Sequence, residues 1–119
     1  MKRRIVGGAS AGLALVLVVT GCVFLGNLNP VASFTATPSH GASPLSVDFD
    51  ASASSDPDGT IEEYFWDFGD GQTASETLPT IAHVFISVQS NSQVFTTILT
   101  VTDDLSAQDD AVKNITVNP

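Results

Sequence analysis

From Val31 onward, apolar and polar residues alternate with a period of two. In "VASFTAT", Val31, Ser33, Thr35 and Thr37 share one face and Ala32, Phe34 and Ala36 the other. "PLSVDFD" sets Leu45, Val47 and Phe49 against Ser46, Asp48 and Asp50, and "IEEYFWDF" groups Tyr64, Trp66 and Phe68. "VFTTILTVTDD" puts Phe95, Thr97, Leu99 and Val101 opposite Thr96, Thr100 and Thr102. "AVKNITV" separates Val112, Asn114 and Thr116 from Ala111, Lys113, Ile115 and Val117. Such alternation marks strands with one buried face. The turn clusters "TPSHGASP", "SASSDPDG", "GDGQ" and "DDLSAQDD" separate them. No helical pattern of useful length follows Leu28. The expected fold is all-β, an antiparallel β-sandwich of about seven strands over residues 30–119.

The N-terminal segment follows a different pattern. "MKRR" is basic, "IVGGASAGLALVLVV" is apolar with small residues, and "VTGC" ends at Cys22. A basic start, an apolar stretch and small residues before a cleavage point make an export signal. The ending resembles a prokaryotic lipobox, which implies lipidation of Cys22. The expected organisation is an export signal over residues 1–22, a linker over 23–29 and the sandwich over 30–119. Two alternatives stand beside it. Ile5–Leu28 is an uncharged run long enough to span a bilayer as a helix, and an ordinary secretion signal would leave an unlipidated product. Cys22 is the only cysteine, so no intrachain disulfide can form. The expected location is the surface or envelope of a prokaryotic cell, with the chain tied to the membrane through its N-terminus.

Charge narrows the partners. Beyond residue 4, Lys113 is the only base against 13 acids, a net charge of −12. A surface this acidic repels phosphate backbones, which excludes nucleic acid as a partner, and it suits a cation-rich environment.

Residues 64–71, "YFWDFGDG", raise the question of a carboxylate cluster, a metal loop or an acidic turn. With Tyr64, Trp66 and Phe68 on one face, the aromatics read as core. Gly69-Asp70-Gly71 then reverses the chain, with Asp70 accepting nearby backbone N–H bonds. "VDFDASASSDPDGTIEEYFWDFGDGQT", followed by "HVF" and "TTILTVTDD", resembles a PKD domain (the polycystic-kidney-disease repeat) over essentially the whole exported part. The resemblance implies an immunoglobulin-like sandwich with Trp66 at its centre. The chain departs from the family pattern in two places. Gln93 stands where the family usually has a Gly, after a lengthened "ISVQSNSQ" connection, and Phe65 occupies a position that is usually polar. Alternation turns Phe65 outward, where it is either covered by that loop or exposed to a partner.

Catalytic chemistry finds little support. His40 and His83 are the only histidines, no G-x-S-x-G or H-E-x-x-H string occurs, and His83 sits at a family position with a structural hydrogen-bonding role. The expected function is that of a non-enzymatic surface lipoprotein that binds extracellular protein or polysaccharide, the alternative being an adhesive spacer or envelope-complex subunit. The candidate ligand-binding residue is Phe65, with Tyr64 and Trp66 following only if the alternation slips. "SASSDPDG" places Ser54, Asp56, Asp58 and Gly59 at the spacing of half an EF-hand loop, but Phe65 stands where its bidentate Glu belongs. The resemblance nevertheless implies a calcium site, as in some PKD-like domains, formed by Asp56, Asp58 and Asp103. The competing reading is a turn whose carboxylates bond their own backbone.

Overall fold

The computed structural model describes residues 16–19 and 22–119, with side chains from Gly26 onward. The basic start, most of the export signal and Thr20-Gly21 of the lipobox lie outside the described residues, as does the Cys22 side chain. β1 (Val16–Val19) and β2 (Cys22–Leu25) pair antiparallel. Among the described residues no helix is long and apolar enough to cross a membrane.

Eight further strands follow: β3 (Thr35–Thr37), β4 (His40–Ala42), β5 (Leu45–Asp50), β6 (Ile61–Asp67), β7 (Thr73–Glu76), β8 (Thr80–Phe85), β9 (Gln93–Asp103) and β10 (Gln108–Asn118). They form a five-stranded sheet in the order β4-β10-β9-β6-β7 and a three-stranded sheet in the order β3-β5-β8. All pairs in these two sheets are antiparallel except β10 with β4. The two sheets pack face to face as the β-sandwich that the alternation predicts.

The inward positions follow the period of two. Phe95, Thr97, Leu99, Val101 and Asp103 of β9 are buried, as are Leu45, Val47 and Phe49 of β5. Trp66 has no exposed surface. Its ring meets Phe34 edge-on at 5.2 Å between centroids and is tilted against Phe49 at 5.3 Å. Phe68, Phe85 and Phe95 extend this cluster. Aromatic pairs at these separations add to the energy of area burial.

The "GDG" stretch is a hairpin turn. Asp67 and Asp70 each accept the backbone N–H two residues on, from Gly69 and Gln72. Gly69 has φ +86° and lies so close to the Thr96 backbone that a Cβ would collide with it. The Thr97 hydroxyl donates to the Phe68 carbonyl beneath this crossing.

Two expectations are revised. Residues 31–34 are not a continuous strand. Val31 bridges Ser55, the Ala32 N–H goes to Asp109 Oδ2 and the Ser33 N–H to Ser54 Oγ, so side chains replace a ladder there. Residues 27–29, read as the end of the linker, pack as part of the domain beside Pro30, with Leu28 and Pro30 buried. Their partners lie 30 and 76 residues away, beyond what local composition reveals.

Trp66→Ala should lower stability by about 3–5 kcal/mol, the usual cost of emptying so large a core site. Denaturant melts of the two proteins check this, and an unchanged midpoint would refute the central role of the ring.

Candidate functional site

At the end of the sandwich where the N-terminal segment arrives, two turns converge. One is the Asp56-Pro57-Asp58-Gly59 turn before β6, and the other joins β9 to β10. Carboxylate oxygens of Asp56, Asp103 and Asp104 lie within 4.8 Å of one another. Asp103 is buried with both oxygens bonded: Oδ1 accepts the N–H groups of Leu105 and Ala107, and Oδ2 accepts only Asn27 Nδ2–H at 3.0 Å. Asp58 is exposed and accepts the Leu28 N–H at 2.9 Å. Asp104 Oδ1 accepts the Thr60 N–H.

Asp56 differs from its neighbours. Both of its carboxylate oxygens are buried and neither has a donor. Burial, then the negative charges of Asp103, Asp58 and Asp104, push it up to about pKa 6. The absence of a side chain at Gly59 keeps the space open, since a Cβ there would strike Asp104 and Asp56. A set of hard oxygen donors around one unsatisfied carboxylate fits a cation such as Ca²⁺, which takes carboxylate, carbonyl and water oxygens. A turn that bonds its own backbone accounts only for the bonds of Asp103 to Leu105 and Ala107; Asp58 and Asp104 bond distant segments, and Asp56 has no partner.

The structure thus brings Asp56 and Asp103 together, holds Asp58 beside them against Leu28, and adds Asp104. Asp104 was legible as the second acid of a doublet. Asn27 was not, because only the fold carries it to Asp103.

The second candidate surface is the outer face of the five-stranded sheet. Phe65 lies there between Ser75 of β7 and Thr100 of β9, and is 36 % exposed. Ile98, opposite Asp67, and Val112, opposite Ile98, continue the face with Thr96, Thr102 and Asn114. The 86–92 connection does not cover Phe65. It is held at the far end of the sheet, through Ser87 N–H to Ser43 Oγ and Ser92 Oγ to Asn118 Oδ1. Tyr64 and Trp66 face inward, and Trp66 has no surface to offer a ligand.

His83 is built into the core edge. Its ring stacks on Phe68 with centroids 3.8 Å apart, and Nε2–H donates to Asp70 Oδ2 at 2.7 Å. The bond ties the β6–β7 turn to β8, a structural role, and no serine hydroxyl bonds to this ring among the described residues.

Comparison with known proteins gives consistent results. The PKD domain family model matches residues 27–118. The pre-pro-metalloprotease PrtV of Vibrio cholerae is 37 % identical over 92 residues, which cover 77 % of this chain and 9 % of the protease. The solved PKD1 domain of that metalloprotease is 35 % identical, with a TM-score of 0.58 over 77 % of this chain and all of that domain. The PKD1 domain of Vibrio anguillarum Epp gives 34 % identity and a TM-score of 0.59, over 77 % of this chain and 96 % of that one. A structure from work on promiscuous carbohydrate-binding modules of the β-sandwich superfamily is 38 % identical with a TM-score of 0.70, covering 77 % of this chain and 35 % of that one. The matched segment is a separate, non-catalytic domain of the protease, and its identity and coverage meet the fold and motifs described above: the chain belongs to the PKD domain family.

Proposed function

We propose that this protein is an exported, membrane-anchored surface module, lipidated at Cys22, that binds extracellular polysaccharide or protein through the outer face of its five-stranded sheet. The observation that carries the reading is Phe65, an aromatic on an uncovered sheet face amid threonine and serine hydroxyls. A flat ring flanked by hydroxyls suits stacking against a sugar or an apolar side chain, and aromatics supply much of the energy at such contacts. The likeness to a structure from work on carbohydrate-binding modules supports the same reading.

Calcium is the cofactor of this reading, held by Asp56, Asp103 and Asp104 with Asp58 beside them. Its role is structural, because a cation there would neutralise Asp56 and fasten both turns to the N-terminal segment. Affinity falls in the range of extracellular modules, about 10⁻⁴–10⁻³ M.

In pull-downs on insoluble polysaccharides and collagen, wild type should be retained on at least one matrix, and Phe65→Ser should lose that retention. Equal behaviour of the two proteins would sink the Phe65 face. Mass spectrometry of the membrane fraction tests the anchor: a mature N-terminus at an acylated Cys22 is expected, and an intact Met1 would refute it.

Millimolar Ca²⁺ should raise the melting temperature more than Mg²⁺ does, and Asp56→Asn should abolish the difference. Equal responses to the two ions would reduce the effect to charge screening. Without calcium, the folded protein holds the Asp56 proton to about pH 6, whereas the unfolded chain releases it at about pH 4. Between these values the folded state binds more protons, so this group makes stability fall as pH rises. Wild type should therefore lose stability relative to Asp56→Asn between about pH 4 and pH 6, as read by thermal melts in chelator.

A further inference from the structure

The two sheets have four edges: β4, β7, β3 and β8. Edge strands expose unpaired N–H and C=O groups, and proteins blunt them by shortness, charge, proline or a bulge. β3 and β4 have three residues each, and β3 runs directly into Pro38. β7 has four residues and ends on Glu76. β8 is six residues long, "TIAHVF", with no proline, acid, lysine or arginine.

The open side of β8 is defined by its pairing. The Ala51 N–H bonds to the Pro79 carbonyl, so Phe49–Ile81, Val47–His83 and Leu45–Phe85 are the bonded pairs with β5. The N–H and C=O groups of Thr80, Ala82 and Val84 therefore point away from the sheet. Val84 is 50 % exposed, and Leu78 and Ile86 at either end of the strand are 67 % and 62 % exposed. A shallow depression of about 350 Å³ lined by Asp48, Phe49, Thr80, Ile81 and Ala82 adjoins the strand.

The charge distribution indicates the occupant. All 13 acids lie outside residues 77–102, a stretch that also has no lysine or arginine. An uncharged edge on a chain with net charge −12 beyond residue 4 can meet its own copy without placing carboxylates opposite each other. We propose that β8 pairs antiparallel with β8 of a second copy about Ala82, joining two three-stranded sheets into one. In that register Thr80 faces the copy's Val84, so the residues with free backbone groups meet, and Leu78 comes beside the copy's Ile86. The two β5 strands, which carry Asp48 and Asp50, then stand about 14 Å apart, three strand spacings. That exceeds the Debye length of about 8 Å at physiological salt, so repulsion weakens the dimer only at low ionic strength. The Phe65 faces lie on the other sheets and stay open.

The test uses the full chain in mild detergent, by sedimentation velocity and hydrogen exchange over a range of concentrations. Wild type should dimerise more strongly as salt rises, with concentration-dependent protection of the Thr80, Ala82 and Val84 amides. Val84→Lys should lose both dimer and protection while melting normally. Val112→Lys, an equally exposed change on the other sheet, should keep both. A dimer that survives Val84→Lys, or exchange at these amides that ignores concentration, would overturn the proposal. Protection that arises only on adding a foreign protein would assign the edge to a different strand and overturn self-pairing.

Discussion

The indole of Trp66 lies between the sheets, 5.2 Å from Phe34 and 5.3 Å from Phe49, with Phe68 and Phe85 behind them. The single cysteine rules out an internal disulfide, and a sandwich this small buries a modest fraction of its surface. The chain leaving β6 stays against β9 of the same sheet, where Gly69 lies against the Thr96 backbone and Thr97 satisfies the Phe68 carbonyl. From the other sheet, His83 of β8 stacks on Phe68 and bonds Asp70. The acidic hairpin is thus the clasp of an aromatic core.

Charge is distributed as unevenly as apolar area. Asp56, Asp58, Asp103, Asp104 and Asp109 gather where the N-terminal segment joins the sandwich, and three of them accept bonds from Asn27, Leu28 and Ala32. These bonds give the crowded carboxylate oxygens the donors that buried polar atoms require. Asp56 receives none and carries the remaining strain of the cluster. Residues 77–102 are free of such repulsion, which leaves β8 apolar enough to be an edge without a guard. The acidic N-terminal end and the uncharged edge therefore differ in physical character, and the Phe65 face belongs to neither.

The alternation of "PLSVDFD", "YFWDF" and "VFTTILTV" determined the strands β5, β6 and β9 and their buried faces, because a period of two leaves each side chain only one side to occupy. It did not reveal β4, hidden in a turn cluster and held by parallel pairing with β10, nor that residues 31–34 bond to side chains instead of a ladder. Asp56 and Asp103 were legible as a family pattern, since the motif fixes acids at those positions. That Asp56 is the carboxylate without a donor, that Asp104 completes the cluster and that Asn27 reaches Asp103 across 76 residues were decided by the tertiary structure alone. The reason is that local sequence determines which way a side chain points along its own strand. Desolvation, hydrogen-bond satisfaction and the openness of an edge depend on which distant segments the fold brings alongside.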